Sequence, residues 1–289
     1  MQNILITGAN GQLGNCLRDL ATEYQEKYHF FYTDVEELDI TDAAAIEKHI
    51  ADNQIDIIIN AAAYTAVDKA EDEVELAYRL NRDAVKNLAE AARDHDCRLV
   101  HISTDYIFSG ETSHPYAEGD TPDPKSVYGA SKLAGERAIE ESGCRAVIVR
   151  TSWLYSEYGH NFVKTMLRLG EEREIVRVVS DQIGGPTYAG DLANIIFRLI
   201  DRPAQAEKLE IYHFANEGIC SWFDLSKAIM ELAGLRCRVE AITTSEYPAK
   251  ARRPAFSVFN LCKTRKAIAA DIPYWRDSLV LTINKLKEK

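Results

Sequence analysis

The fold of this chain is decided by residues 3–14, which read NILITGANGQLG. The apolar run at residues 3–7 is typical of a buried parallel strand, and residues 16–20 have the spacing of a helix. Gly8, Gly11 and Gly14 lie between them. Glycines at this point let the backbone turn tightly and let a pyrophosphate approach the N–H groups at the start of the helix. Although a tight turn without a ligand is the alternative, the position between a strand and a helix predicts a dinucleotide-binding turn.

Strand-like and helix-like segments alternate through the first half of the chain. Further apolar runs occur at residues 30–33, 55–59, 98–102 and 146–149. The alternation predicts an α/β fold, with a Rossmann-like doubly wound parallel sheet over residues 1–150. After residue 150 it fades, which predicts a smaller C-terminal substrate-binding lobe over residues 151–289. We expect parts of 175–201 to complete the main domain, through a strand at 175–179 that returns to its sheet and a helix at 188–201.

Composition and charge exclude several classes of protein. The 289 residues include 45 acidic and 34 basic side chains, and the net charge of −11 argues against a general nucleic-acid or anionic-membrane binder. Six scattered cysteines without a CxxC pair suit a reducing compartment. We find neither a signal-peptide pattern nor roughly 18 uninterrupted apolar residues, so we expect a cytoplasmic protein without a membrane span.

The second apolar run ends at Asp34, twenty residues after Gly14. A carboxylate there can hydrogen-bond the ribose hydroxyls of NAD and would repel the 2′-phosphate of NADP. A loop-capping role for Asp34 is the alternative, and Asp39 with Ile40 can instead flank the adenine. After the third run, the small residues Ala62 and Ala63 let a flat ligand lie against the backbone. We therefore expect NADPH or NADH as cofactor, with NADH slightly favoured.

The chemical group we expect at the site is a tyrosine next to a lysine. Tyr128 and Lys132 are four residues apart, which on a helix places the phenol beside the ammonium. A nearby cation lowers the pKa of a phenol from its usual ~10, so Tyr128 can give a proton to an oxygen that receives a hydride. An exposed pair without function is the alternative. Thr104 ends the fourth run, where its hydroxyl can face the cleft or cap the backbone, and we interpret His101 and His213 as core histidines.

These motifs together resemble the extended short-chain dehydrogenase/reductase family. The resemblance rests on the spaced glycines, on NAAA at 60–63, on Thr104 and on Tyr128-x-x-x-Lys132. Further stretches resemble the branch of that family that reduces dTDP-linked 4-keto-6-deoxy sugars. They are AYTAVDKAE (63–71), STDYIFSG (103–110), YGASK (128–132), RTSWLY (150–155), NFV (161–163), DQIGGPT (181–187) and RRP (252–254).

The resemblance implies a role for each matching residue. Tyr128 would protonate the product oxygen, Lys132 would hold the nicotinamide ribose and tune Tyr128, and Thr104 would polarise the ketone. The remaining cofactor contacts would come from the turn and from the segment after the third strand, that is, from Gly8, Gly11, Gln12, Leu13, Gly14, Ala62, Ala63 and Tyr64. The remaining substrate contacts would come from Val67, Asp105, Trp153 and Arg253. Arg252 and Arg253 belong to a basic cluster that suits a diphosphate, with a solvated loop as the alternative.

The resemblance also bears on the reaction and on partners. Related sugar-nucleotide dehydratases carry Thr-Asp-Glu, whereas this chain has Thr104-Asp105-Tyr106 and lacks the second carboxylate. Some family members form dimers bridged by magnesium through glutamates near the first helix. Because position 15 is Asn15, we predict no metal, and a homodimer stays open. The alternatives are a reductase or epimerase of another 4-keto sugar nucleotide and a non-catalytic subunit similar to the regulatory subunit of methionine adenosyltransferase.

Overall fold

The computed structural model describes residues 1–202 and 208–288. Strands and helices alternate through the first half of the chain. They are β1 (Gln2–Thr7), α1 (Gln12–Ala21), β2 (Tyr28–Thr33), α2 (Ala43–Asn53), β3 (Ile57–Asn60), α3 (Val67–Ala70), α4 (Val74–Tyr78), α5 (Ala84–Asp94), β4 (Arg98–Thr104), α6 (Val127–Ser142) and β5 (Arg145–Thr151). A π-helical turn spans Arg79–Asp83 and a 3₁₀ turn spans Asp105–Ile107.

Shorter strands and longer connections make up the second half. Its elements are β6 (Leu154–Tyr155), α7 (Phe162–Glu172), β7 (Ile175–Val179), β8 (Ile183–Gly184), β9 (Thr187–Tyr188), α8 (Ala189–Ile200), β10 (Leu209–Phe214), β11 (Cys220–Ser221), α9 (Trp222–Ala233), β12 (Arg238–Ile242), α10 (Cys262–Ile268) and α11 (Trp275–Lys287). Within residues 1–202 and 208–288, no helix combines the length and apolar character that crossing a bilayer requires.

The main sheet is parallel and has the strand order β10-β5-β4-β3-β1-β2. The predicted Rossmann-like doubly wound fold is therefore confirmed. The chain order reverses between β1 and β3, where Thr7 lies opposite Asn60. Parallel sheets of this kind bind ligands at such a reversal, outside the carboxyl ends of the strands.

The prediction that the strand at 175–179 returns to the main sheet was wrong. Segment 175–179 pairs in parallel with β12 in a separate two-stranded sheet, and β10 completes the main sheet beside β5. The burial of β7 explains the difference, because Ile175 and Arg177 are exposed while Val176 and Val178 are buried. A strand with one solvent-exposed face does not fit into a parallel sheet whose two faces are both covered by helices.

Helices cover both faces of the main sheet. On one face, α8 packs beside α1, so Leu192 and Ile196 join the same apolar cluster as Leu13 and Leu17. On the other face, apolar residues of α2, α5 and α6 form a second cluster against the strands. A third cluster lies among α7, α9 and α11 and forms the core of the C-terminal lobe. The carboxyl ends of the strands therefore open toward this lobe.

Candidate active site

A cavity of about 650 Å³ lies where the carboxyl ends of β1, β3, β4 and β5 meet the C-terminal lobe. That volume is within the range of small-molecule and cofactor sites. Many of the predicted site residues line it, namely Gly11, Gln12, Leu13, Ala63, Val67, Thr104, Asp105, Tyr128, Lys132 and Trp153. Gly8, Gly14, Asp34, Asp39, Ile40, Ala62, Tyr64 and Arg253 do not line it.

The glycine-rich turn fits a dinucleotide. Gly8 has φ +65°, and a Cβ there would approach the Ala62 nitrogen to 2.6 Å. A Cβ on Gly14 would come within 2.4 Å of the Gly8 carbonyl oxygen, so neither position has room for a side chain. Helix α1 starts without a side-chain cap and without an acidic residue in its first turn. Its first N–H groups are thus available to bind an anion. Gly8 and Gly14 make the turn possible because they allow close backbone contacts.

The predicted adenosine-side residues are held by protein contacts. Asp34 follows β2, and its carboxylate accepts hydrogen bonds from the backbone N–H groups of Asn10 (3.1 Å) and Val35 (2.9 Å). Asp39 accepts from the backbone and the hydroxyl of Thr41, and Ile40 is buried in the core. Asp34 therefore lies directly beside the glycine-rich turn, and its cofactor contact stays a prediction.

Asn81 is a site-positioning residue that the sequence did not indicate. Its side chain accepts from the Tyr64 N–H (2.9 Å) and donates to the Tyr64 carbonyl (3.0 Å) and to the Ser131 hydroxyl (3.0 Å). It therefore ties the segment after β3 to helix α6. The Tyr64 hydroxyl donates to Glu73 instead of facing the cavity. Asn81 lies in the π-helical turn, a local feature that often occurs at functional sites.

Helix α6 places Tyr128 in the cavity wall. The Ser126 hydroxyl caps the helix by accepting from the Gly129 N–H at 3.1 Å. A Cβ on Gly129 would lie 2.1 Å from the Tyr106 carbonyl oxygen, so only glycine lets α6 approach the 3₁₀ turn this closely. The rings of Tyr106 and Tyr128 meet edge to face, with centroids 5.4 Å apart. Tyr128 is consequently fixed next to Thr104.

The phenol of Tyr128 lies beside Thr104 and Asp105. Burial raises the pKa of its phenol to about 12, the Thr104 hydroxyl lowers the pKa through a hydrogen bond, and Asp105 raises it. Lys132 is not among these causes, because its Nζ faces His101 and the Ile102 carbonyl on strand β4. That Lys132 lowers the pKa of Tyr128 stays a prediction.

Lys132 is buried, with 2% of its surface exposed. Its Nζ donates to the Ile102 carbonyl at 2.6 Å and lies 3.3 Å from His101 Nε2. Burial lowers the pKa of the amine to about 8, and the carboxylate of Glu136 partly opposes that shift. A lysine with such a pKa exchanges protons near neutral pH, which is unusual for a structural residue.

Thr104 and Asp105 are both buried at the end of β4. The Thr104 hydroxyl donates to Asp105 Oδ1 at 3.1 Å and accepts from the Tyr106 N–H at 3.3 Å. Thr104 therefore caps the 3₁₀ turn and also lines the cavity. Burial raises the pKa of Asp105 to about 6. Within residues 1–202 and 208–288, no group of three or more His, Cys, Asp or Glu side chains could hold a metal ion.

A pair of tryptophans forms the lobe side of the cavity. Trp153 has φ +47°, a strained value for a bulky residue, and its indole lies on Gly184, where a Cβ would come within 2.6 Å. Its ring stacks on Trp222, with centroids 3.6 Å apart and planes 9° from parallel. The sequence suggested no role for Trp222, because nothing in its own segment indicates that α9 folds against Trp153.

Arg253 lies outside this cavity and has a carboxylate partner. Its Nη2 and Nη1 donate to the two oxygens of Asp68 at 2.6 and 3.2 Å. Lys250 and Arg252, the other basic residues of segment 250–254, also pair with acids, Lys250 with Asp72 and Arg252 with Glu111. All three basic residues line a separate cavity of about 450 Å³. A diphosphate would have to compete with Asp68 for Arg253, so that role stays a prediction.

The family model described as the RmlD substrate binding domain matches residues 1–288. A relative from Aggregatibacter actinomycetemcomitans named dTDP-4-dehydrorhamnose reductase is 44% identical, with 96% of this chain and 97% of the relative covered. The Escherichia coli K12 protein of the same name is 36% identical, with 98% of both chains covered.

Solved structures agree with the sequence comparison. The dTDP-4-dehydrorhamnose reductase of Bacillus anthracis in complex with NADP is 42% identical, with a TM-score of 0.92 over 99% of this chain and 100% of the other. The orthologue from Clostridium acetobutylicum is 40% identical, with a TM-score of 0.93 over the same shares of the two chains. This chain therefore belongs to the family described by the RmlD substrate binding domain, whose matched relatives include the dTDP-4-dehydrorhamnose reductases.

Proposed function

We propose that this chain reduces the C4 ketone of dTDP-4-dehydro-L-rhamnose to dTDP-L-rhamnose with NADPH or NADH, the final step of dTDP-rhamnose synthesis. One observation carries the proposal. Thr104, Tyr128 and Lys132 line the same cavity as the anion-binding start of α1, represented by Gly11, Gln12 and Leu13. A ketone polariser, a proton donor and a dinucleotide cradle in one cavity are what a reductase of this kind needs.

The residues of the chain would hold the cofactor at two points. The turn from Gly11 to Leu13 offers backbone N–H groups to the pyrophosphate. Asp34, which follows β2, would accept from the ribose hydroxyls on the adenosine side, and Lys132 would donate to the nicotinamide ribose. When bound, NADPH or NADH supplies the hydride.

The protein supplies the proton and the polarisation. We propose that the Thr104 hydroxyl donates a hydrogen bond to the substrate ketone, which favours negative charge on that oxygen. Tyr128 then gives its phenolic proton to the oxygen. Because burial holds the pKa of Tyr128 at about 12, the phenol is fully protonated before the reaction and ready to donate. An alkoxide is a stronger base than phenolate, so the transfer runs toward the product.

The sugar would lie against the stacked pair Trp153 and Trp222. Aromatic faces suit the apolar face of a deoxysugar, and the strain at Trp153 marks a position maintained for function. The diphosphate would extend toward Arg253, where it would displace or share the Asp68 contact. As part of the same proposal, the protein works in the cytoplasm on this small molecule and not on nucleic acid.

The test is to follow the absorbance of the reduced nicotinamide while the dTDP-4-keto-6-deoxy-L-sugar is generated in situ. Wild type is compared with Tyr128→Phe and with the control Tyr24→Phe, since Tyr24 packs on Phe197 remote from the cavity. We expect wild type and the control to consume NADPH or NADH, and Tyr128→Phe to be slower by about 10²–10⁴-fold. Consumption that survives in Tyr128→Phe would contradict the role of Tyr128. Bound but unconsumed cofactor in all three proteins would contradict the reaction.

A further inference from the structure

A buried chain of polar groups links β1 to Lys132 across the sheet. The Thr7 hydroxyl donates to Asn60 Oδ1 at 2.8 Å, Asn60 Nδ2 lies 3.0 Å from His101 Nδ1, and His101 Nε2 lies 3.3 Å from Lys132 Nζ. All four side chains are at most 2% exposed. His101 therefore contacts the predicted catalytic lysine directly, although sequence reasoning interpreted it as a core residue.

The orientation of the Asn60 amide is fixed by a backbone donor. The Ala62 N–H donates to Asn60 Oδ1 at 3.2 Å, and a backbone N–H can only donate. The oxygen of the amide must therefore face Ala62, which turns Nδ2 toward His101. Because an amide NH₂ also only donates, His101 Nδ1 must accept.

The tautomer of His101 follows from that contact. The ring is fully buried, and burial keeps its pKa well below the usual value, so it is neutral. With Nδ1 accepting, the single ring hydrogen is on Nε2, which faces Lys132 Nζ. An ammonium offers only hydrogens, whereas an uncharged amine offers a lone pair. The amine can accept from Nε2 while it still donates to the Ile102 carbonyl.

We propose that His101 is a positioning residue for the reaction, which donates its Nε2 hydrogen to Lys132 and thereby favours the uncharged amine at the end of β4. The proposal rests on the reductase function, in which Lys132 holds the cofactor ribose. The sugar oxygens of a bound ribose can accept hydrogen bonds and would favour the ammonium instead. His101 thus sets how readily Lys132 takes up the proton that it uses with cofactor.

Few other ionisable groups act on Lys132. Glu136, one turn further along α6, raises the pKa of the amine, but Arg150 from β5 occupies its carboxylate through hydrogen bonds of 2.7–3.2 Å. His101 acts from β4, and Tyr128 lies one turn before Lys132 on α6. Among the described residues, no carboxylate forms a salt bridge with Lys132, so the contact with His101 has a strong influence.

The experiment measures the titration of Lys132 in the intact chain, with lysine labelled by carbon-13 at Cε and followed by NMR. The Lys132 signal is assigned by its loss in Lys132→Arg. We expect its midpoint to rise by about one pH unit in His101→Phe, since one hydrogen bond to the neutral amine is removed. Asn60→Ala should shift it in the same direction, because His101 can then carry its hydrogen on Nδ1 and accept from an ammonium.

If His101 had only a structural role, the Lys132 midpoint would fall in His101→Phe instead of rising. Replacing imidazole by phenyl makes the surroundings of Lys132 less polar, which lowers the pKa of an amine. The control is His213→Phe, another fully buried histidine, which contacts Arg150 and the Tyr116 carbonyl and should leave the Lys132 midpoint unchanged. An unchanged or lower midpoint in His101→Phe and in Asn60→Ala would overturn the proposal. Because no sugar is present, the outcome is independent of the proposed reaction.

Discussion

Two buried basic side chains contact or belong to helix α6, Arg150 from β5 and Lys132 of α6 itself, and their surroundings differ in kind. Arg150 is 3% exposed and donates through Nε and Nη2 to the Glu136 carboxylate at 3.0 and 2.7 Å, and through Nη1 to the Glu118 carbonyl at 3.1 Å. Lys132 is 2% exposed and contacts a carbonyl and a histidine. Arg150 has a carboxylate partner, whereas Lys132 forms no salt bridge with any carboxylate of the described residues.

The difference separates a structural group from a functional one. A buried ion pair with satisfied hydrogen bonds holds elements together, as Arg150 does for β5, α6 and the loop at Glu118. A buried amine without a counter-ion is costly, and proteins keep such groups mainly where chemistry uses them. Loss of the Lys132 amine should therefore impair activity without lowering stability. Loss of the Arg150 guanidinium should mainly lower stability.

The largest effect should come from Lys132→Met. The side chain keeps its volume and loses the amine, so we expect the turnover of sugar nucleotide to fall by about 10²–10⁴-fold. The free energy of unfolding should stay equal or rise, because an unpaired buried amine disappears. Turnover is measured with saturating NADPH and unfolding with urea. If Lys132→Met were unstable but fully active, Lys132 would be the structural residue and the assignment of roles would be contradicted.

The second largest effect should be a loss of stability in Arg150→Met. Glu136 would be left buried and unpaired, which we expect to cost about 3–5 kcal/mol in the free energy of unfolding. The double variant Arg150→Met, Glu136→Met is the matched control and should recover most of that loss. If the single variant were as stable as wild type, Arg150 would not be the structural member of the pair.

The pH dependence of stability distinguishes Lys132 from Arg150 further. Burial lowers the pKa of Lys132 to about 8, below its value of ~10.4 in an unfolded chain. Between these pH values the unfolded chain binds more protons, so the free energy of unfolding should rise with pH, by up to about 3 kcal/mol. Urea unfolding of wild type at pH 8 and pH 10 shows the rise, and its absence from Lys132→Met assigns it to that residue. An equal rise in both proteins would contradict the assignment.

The smallest effect should come from an exposed pair. Arg252 and Glu111 are each more than half exposed, and such pairs contribute roughly 0–1 kcal/mol. We therefore expect Arg252→Met to change the free energy of unfolding by less than about 1 kcal/mol, against several for Arg150→Met. If Arg252→Met and Arg150→Met lowered the free energy of unfolding by similar amounts, burial would not explain how much each ion pair contributes.

The sequence predicted best those parts of the site whose residues lie close together along the chain. The turn at Gly8, Gly11 and Gly14 is local, because a strand, a tight turn and a helix follow each other within a short stretch, and the structure has the expected sheet around it. The pair Tyr128 and Lys132 is also local, since helical spacing alone places both on α6.

What the sequence could not indicate depends on contacts between distant segments. Trp222 meets Trp153 only because α9 packs against the loop after β5, and Asn81 reaches Ser131 only because Gly135 lets α6 lie close to the π-helical turn. The direction of the Lys132 side chain was also beyond prediction. Helical spacing places Lys132 near Tyr128, but His101 and the Ile102 carbonyl on β4 turn its amine away.

The most direct test of the account is the destination of the hydride. Wild type is supplied with NADPH that carries deuterium at both C4 hydrogens of the nicotinamide and with dTDP-4-dehydro-L-rhamnose generated in situ, and the sugar product is examined by NMR. The account predicts dTDP-L-rhamnose with deuterium at C4 of the sugar, and almost no labelled product from Lys132→Met or Tyr128→Phe. A product without deuterium at C4, or full labelling in both variants, would contradict it.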